Sequence, residues 1–288
     1  VLRKRLVLVL TLGCSPTPEP ILDVPGGTFV LGDDRSPHPD EHGAHHVTVS
    51  PLRVDRTLVT RGAFRAWADA TGFVTDAERL GMGMVSVEGM DDWEWRQVEG
   101  ASFRAPWGPD GPQPQTDDHP VVSVSWNDAA AYCADHGGRL PTEAEWVWVM
   151  SAGDPSRRFP WGDEPTVAGR YQTNFWQGED HHRDTRADGF LYTSPVGAFP
   201  PNAWGVVDPV GNVWQWTADW WAEDTFAQQP DGVVDPTGPT DGWAKVARGG
   251  SWWCSANSCS AYGLHRRGKS RPAAPYPNNG FRCVYPPT

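Results

Sequence analysis

The sequence predicts an α+β domain that is loop-rich and low in regular secondary structure. Glycine and proline, Gly 31 and Pro 28, make up about a fifth of 288 residues, which approaches the composition of low-complexity chains. Against disorder stand 17 Trp, because so much aromatic surface must be buried to be tolerated in water. Short strand and helix signals separated by turn residues give the third observation. The formal net charge of −12 argues against nucleic acid or anionic membrane as partner and suits a chain that holds calcium.

Residues 1–20 read as a leader and residues 21–288 as one domain. Val1-Leu2-Arg3-Lys4-Arg5 followed by Leu6 to Leu12 is a basic segment and a short apolar run, the form of a secretory signal. It is too short to span a bilayer as a helix, which needs about 20 residues. Leu12-Gly13-Cys14-Ser15 resembles the lipobox of bacterial lipoproteins, in which the cysteine is acylated. The reading is therefore an exported, periplasmic or membrane-anchored bacterial lipoprotein, with Cys14 as possible lipid anchor. Ser15 to Pro20 then forms a Pro-rich extended tether.

Within the domain, Ile21 to Gly32 reads as two short strands around Pro25-Gly26-Gly27, and Val47 to Leu52 as another strand. Thr60 caps a helix over Arg61–Thr71 with Phe64, Trp67 and Ala68 on one face and Gly72 as its stop. Residues 80–120 carry no clear period and predict a long functional loop region. Val121 to Val124 reads as a buried strand, and Asn127 as the cap of a helix to about His136, ended by Gly137-Gly138. Thr142-Glu143-Ala144-Glu145 is a capping box opening a helix to about Ala152. Its Trp146, Val147, Trp148, Val149 and Met150 are apolar nearly all round, which implies burial on more than one side.

Five cysteines are present. With Cys14 assigned to the leader, Cys133, Cys254, Cys259 and Cys283 allow three pairings, and spacing does not choose among them. Cys254 and Cys259 follow a Gly249-Gly250-Ser251 turn. Thiolates favour Cu(I), zinc or iron-sulfur clusters, yet two thiols can equally close a disulfide. Fully extended, the two Cα atoms would lie roughly 17 Å apart, so either use requires a tight fold-back, for which Asn257 and its flanking serines are suitable.

Gly138-Arg139-Leu140-Pro141-Thr142-Glu143-Ala144-Glu145-Trp146, Phe159-Pro160-Trp161-Gly162, Val210-Gly211-Asn212-Val213-Trp214-Gln215-Trp216-Thr217, Arg248-Gly249-Gly250-Ser251-Trp252 and Asn279-Gly280-Phe281-Arg282-Cys283 together resemble the formylglycine-generating enzyme (sulfatase-modifying factor) family over about residues 21–285. The resemblance implies a modified C-type-lectin-like fold. It also implies a Cys133–Cys283 disulfide, which leaves Cys254 and Cys259 for a metal or for each other. By resemblance these two bind Cu(I) as thiolates and a substrate cysteine joins them. O₂ serves as co-substrate, and loss of a hydrogen from the substrate Cβ leads through a thioaldehyde to Cα-formylglycine. Ser251, Trp214, Arg267 and Asn278 would complete the reaction site. Calcium would bind at Asn174 and Asp188 with the carbonyls of Phe175 and Phe190, and at Asp208, Gly211, Val213 and Gln215.

The chain departs from the family pattern in places. Ser255 and Ser258 stand where histidine and an aromatic residue are usual, Ala273 where aspartate is usual, and Asp208 and Gln215 exchange the usual amide and acid. His45-His46 and His181-His182 read as solvated loop pairs, since adjacent histidines seldom face one centre. The implied partner is a sulfatase or other cysteine-containing polypeptide as substrate, with this chain itself a monomer. The competing readings are a catalytically divergent exported module for binding or assembly, and an interaction domain in which Cys254–Cys259 is a plain disulfide.

Overall fold

The computed structural model describes residues 20–112, 116–259 and 262–288; the leader and Cys14 lie outside them. Its strands are β1 (Ile21–Val24), β2 (Gly27–Leu31), β3 (His45–Val49), β4 (Leu52–Asp55), β5 (Met82–Val85), β6 (Arg96–Glu99), β7 (Thr166–Val167), β8 (Arg170–Tyr171), β9 (Trp214–Trp220), β10 (Val233–Val234), β11 (Lys245–Arg248), β12 (Arg267–Ser270), β13 (Asn279–Gly280) and β14 (Val284–Tyr285). The helices are α1 (Arg61–Thr71), α2 (Asp76–Leu80), α3 (Trp126–Asp135), α4 (Glu143–Met150) and α5 (Thr225–Gln228). The elements are short and the connections long, the mixed, loop-rich α+β architecture that the composition predicts.

Three small sheets organise the molecule, in the orders β1-β4-β14, β10-β3-β2 and β12-β11-β9-β13. The Pro25-Gly26 turn separates β1 and β2 into two different sheets, rather than pairing them as a hairpin. The strand expected over Val47–Leu52 is two strands, because Pro51 lacks the N–H that a continuous ladder needs. α1 follows its sequence signal. The Thr60 hydroxyl accepts from the Ala63 N–H, and Gly72 ends the helix at φ 70°, a left-handed conformation that glycine adopts without steric cost.

Three expectations need correction. Residues 80–120 are not all loop, since β5 and β6 pair antiparallel from Met82↔Glu99 to Val85↔Arg96. Val121–Val124 is buried but forms no strand; it is tied in by the Val121 N–H to the Val59 carbonyl at 2.9 Å and the Ser123 N–H to the Tyr276 carbonyl at 3.0 Å, and its Val124 carbonyl accepts from Trp216 Nε1 at 3.3 Å. α3 is capped by Ser125, two residues before Asn127. Ser125 and Asp128 form a reciprocal capping box, and such an exchange satisfies two otherwise orphaned N–H groups.

All eight residues of α4 are buried. Trp146, Val147 and Val149 pack with Phe29, Val47 and Val54 in the largest core cluster, and each fully buried side chain of this size contributes about 1.5–3 kcal/mol. Burial on every side also forces the helix's acids to find partners. Glu143 takes a two-bond pair from Arg267 at 2.8 and 3.0 Å, and Glu145 one from Arg139 at 2.6 Å. A second cluster joins α1 and α3 through Phe64, Tyr132 and Phe281. Beside it, Cys133 and Cys283 are joined, with Cα atoms 5.5 Å apart. The third cluster is almost wholly aromatic, Trp107, Trp176, Tyr192, Trp252 and Trp253 with Val85 and Ala101, and it backs the site described next. Among the described residues no helix is long and apolar enough to cross a membrane.

Candidate active site

β11 ends at Arg248 and the chain turns through Gly249 and Gly250, both left-handed at φ 91° and 70°. A Cβ at Gly249 would stand 2.9 Å from the Trp146 ring, so this turn can pass the core helix only without a side chain. The turn delivers Ser251, Trp252, Trp253 and Cys254 into the aromatic cluster. Ser251 Oγ accepts from the Asn278 side-chain amide at 3.2 Å and from the Trp253 N–H at 3.3 Å. With both lone pairs engaged, its hydroxyl hydrogen is left for Cys254 Sγ, 3.7 Å away.

Cys254 is 2% exposed and Cys259 half-buried. The fold-back between them is built by a serine. Ser255 Oγ accepts from the N–H groups of Asn257 (3.3 Å) and Ser258 (3.0 Å) and donates to Ser258 Oγ at 3.0 Å. The result joins Cys254 with Cys259 at a Cα separation of 5.4 Å. Oxidised, the pair is a disulfide; reduced, it presents two soft donors to one point. Among the described residues no group of three or more histidine, cysteine or acidic side chains gathers around a metal position, so any cation here would rest on the two sulfurs and whatever enters.

A cleft of about 370 Å³ reaches Cys259 and is lined by Trp214, Asn278 and β12 together with Trp93, Trp95 and Tyr276. A smaller space of about 40 Å³ lies over the pair, bounded by Cys254, Cys259, His181, Trp253 and Asn278, room for one or two small molecules. Trp214 and Asn278 are brought together by the Trp214 N–H to the Asn278 carbonyl, 2.8 Å. Arg267 is placed otherwise than expected. Its backbone borders the cleft, but its guanidinium is fully buried on Glu143 and on the carbonyls of Asp40 and Ala222.

The histidine pairs also differ from the solvated-loop reading. His181 is buried and stacks on Trp253, ring centroids 3.8 Å apart. Its Nε2–H donates to the Trp253 carbonyl at 2.6 Å, and Nδ1 bonds Asp92. His182 is exposed. His45 and His46 belong to β3, where His45 is buried against Gln229 and His46 faces Asp231. His181, Trp93, Trp95, Trp253 and Tyr276 are site residues that the sequence reading did not single out. The signal was the Trp93-Glu94-Trp95 run inside the segment read as a functional loop.

The two oxygen-rich sets differ from each other. Asp188 accepts from the N–H groups of Phe175 (3.1 Å) and Phe190 (2.9 Å) and from the Gln177 amide (2.7 Å). Burial holds its carboxyl above the usual range, and among the described residues no basic side chain pairs with it. Asn174 lies on the same segment and donates to the Tyr192 carbonyl at 2.7 Å. In the second set, the Gly211 carbonyl accepts from the Val213 N–H at 2.7 Å. Gln215 Oε1 accepts from Trp146 Nε1 (3.1 Å) and Arg282 Nε (2.9 Å), and its amide nitrogen donates to the carbonyls of Asp208 (3.1 Å) and Pro209 (3.3 Å). Arg282 also donates to the Asp208 carbonyl at 2.9 Å. Burial pushes the Asp208 carboxyl up to about 6, against the pull of Arg282.

Comparison with known proteins gives a consistent result. A family model described as "Sulfatase-modifying factor enzyme 1-like domain" matches residues 13–286. A Thermomonospora curvata protein named "Formylglycine-generating enzyme" is 41% identical over 281 residues, 92% of this chain and 92% of that protein. A mouse protein (Mus musculus) named "Inactive C-alpha-formylglycine-generating enzyme 2" is 35% identical, covering 96% of this chain and 88% of that one. Among solved structures, PvdO from Pseudomonas aeruginosa superposes with a TM-score of 0.70 at 27% identity, over 93% of this chain and 94% of that chain.

Proposed function

The chain belongs to the sulfatase-modifying factor enzyme family, and from that premise we propose that it oxidises a cysteine of a sulfatase or related polypeptide to Cα-formylglycine, with Cu(I) on Cys254 and Cys259 and O₂ as co-substrate. The observation that carries this is the cysteine pair itself, folded to one point at the end of an open cleft. Two thiolates are a fitting donor set for a soft monovalent cation, and the cleft leaves a further position for the substrate thiol. When bound, copper would supply the coupling of O₂ reduction to removal of hydrogen from the substrate Cβ. Electrons balance if the cysteine gives up two and an added thiol reductant two, O₂ yielding two waters, one of which hydrolyses the thioaldehyde to aldehyde and hydrogen sulfide.

The chain's own groups have definite tasks in this reading. Ser251 directs its hydroxyl hydrogen at Cys254 Sγ, and such a donor stabilises a thiolate over a thiol. Asn278 fixes that hydroxyl from the other side. Trp214, Trp95 and Tyr276 wall the cleft and exclude water once a peptide lies between them.

Calcium is proposed at the Asn174/Asp188 set with the carbonyls of Phe175 and Phe190, where a half-buried carboxylate lacks a basic partner. The Asp208/Gln215 set does not fit it. There Gln215 Oε1 already accepts from Trp146 and Arg282, the Asp208 carboxyl from the Gly197 N–H, and the Gly211 carbonyl from the Val213 N–H. Export by the leader is likewise part of the proposal, so the substrate would be met outside the cytoplasm.

Purified, reduced protein incubated with Cu(I), a thiol reductant, O₂ and a Cys-x-Pro-x-Arg peptide should yield the aldehyde product. Cys259→Ser should abolish it. Absence of product with copper bound would favour the second reading, a binding or assembly module, to which the 35% identity with the mouse protein named inactive gives support.

A further inference from the structure

We propose that Trp93 is a specificity-determining residue, an indole clamp over the mouth of the cleft that closes on an apolar or planar side chain next to the reacting cysteine of the polypeptide substrate. The inference rests on the reading above, that a polypeptide cysteine is brought to Cys254 and Cys259. Three independent observations carry it.

Trp93 is 64% exposed, in a chain that places Trp146, Trp176, Trp216 and Trp252 wholly inside. Its position is not an arbitrary point of the surface, since it borders both the 370 Å³ cleft and the 40 Å³ space over the cysteines. Among the described residues its ring makes no aromatic or cation contact. An indole at the entrance to a reaction site therefore has a free face.

The backbone at Trp93 is left-handed, φ 66°. The Glu94 N–H closes a turn onto the Asp91 carbonyl at 3.0 Å, so Trp93 is the third residue of that turn. Positive φ at this position favours glycine or asparagine, and a bulky residue there is an outlier that neighbours must hold in place. Nothing in the turn itself benefits from the ring. Glycine would serve the local fold better, so the ring's use lies in what it meets outside the turn.

The conformation is held from both sides. Asp92 bonds His181, which is buried and stacked on Trp253, the residue before Cys254. Trp95 sits edge-on to Tyr276, centroids 4.8 Å apart, and both line the cleft. Thus the segment carrying the indole is tied to the cysteine-bearing segment, and the ring is held at the border of the cleft that reaches Cys259. A flat, rigid, apolar face so placed is suited to stacking on a proline, an aromatic ring or a guanidinium. The partner chemistry is therefore an extended peptide with such a residue close to its cysteine.

The test uses the full chain and a fluorescein-labelled Ser-x-Pro-x-Arg peptide, in which serine replaces the reacting cysteine, so that binding is read by anisotropy without turnover. Trp93→Ala and Trp93→Gly should each weaken binding by about 3–10-fold, the range of one aromatic contact, and Trp93→Phe should restore most of it. Trp93→Gly should also raise the Tm by about 2–4 °C through relief of the turn. Binding as tight in Trp93→Ala as in the wild type overturns the clamp, as does failure of the wild type to bind the peptide. A fall in Tm for Trp93→Gly overturns it too, by showing that the ring is needed for folding. The formylglycine reading fails separately. A peptide held in a Trp93-dependent way but never converted removes the activity and leaves the clamp, whereas conversion with the same KM in Trp93→Ala removes the clamp and leaves the activity.

Discussion

Ser251 shows how much one hydroxyl can decide. It accepts two hydrogen bonds and has one hydrogen to give, and among the described residues the soft acceptor within its reach is the Cys254 sulfur. Ser251→Ala should lower kcat/KM for the Cys-x-Pro-x-Arg peptide about 10–100-fold, about 1.4–2.7 kcal/mol of transition-state stabilisation; a change within twofold would remove the role. Gln215 makes a different point. Its oxygen faces two obligate donors and its nitrogen two carbonyls, so the amide cannot be turned round. Gln215→Glu would set a carboxylate oxygen against the carbonyls of Asp208 and Pro209, and should cost about 1–3 kcal/mol, read as a lower urea midpoint. Added calcium should recover that loss if the acid recreates a cation site. At this scale the meeting of the two cysteines beside Ser251 was legible because all three lie in a contiguous motif. His181 was not: neighbouring residues can face opposite ways, and only the fold shows that His181 enters the aromatic cluster while His182 stays outside.

Among the elements, the helices were the readable part, because caps are local chemistry. Thr60 with Gly72 and Thr142 with Glu145 act as their spacing indicates. The start of α3 was misplaced because two candidate caps compete, and Ser125 prevails through its exchange with Asp128. Val121–Val124 shows the limit of apolar runs, which report burial but not whether a neighbouring strand exists. The α3 cap also predicts a pH effect. Asp128 is buried, accepting from the N–H groups of Ser125 (2.9 Å) and Asp76 (3.0 Å). Burial, aided by the nearby Asp76 charge, pushes its carboxyl up to about 6 from 3.8. The folded chain thus holds this proton more tightly than the unfolded chain does, so its contribution is fully present at low pH. It is lost as pH rises from about 4 through about 6, by on the order of 3 kcal/mol. Above that the effect is level. Tm measured against pH should fall more steeply over that interval in the wild type than in Asp128→Asn; parallel profiles would refute the assignment.

For the whole molecule, composition foretold the architecture: an aromatic interior, short elements and long connections. What it could not give was which distant segments meet, since a one-dimensional pattern holds no pairing information for strands of two to seven residues. Cys133 and Cys283, 150 residues apart, are one such meeting, and here the motif resemblance gave the pairing that spacing withheld. Replacing both by serine should cost about 2–5 kcal/mol and lower the Tm by roughly 5–15 °C, while peptide binding below the new midpoint persists; an unchanged Tm would show the bridge to be dispensable. The sheet in which β1 and β14 flank β4 has a consequence in time. Its first strand, Ile21–Val24, is made long before its third, Val284–Tyr285, so a nascent polypeptide cannot complete that sheet, or close the disulfide beside it, until Cys283 to Tyr285 have been added. Until then β4 is paired with β1 alone, and its other edge stays open to any strand that can reach it.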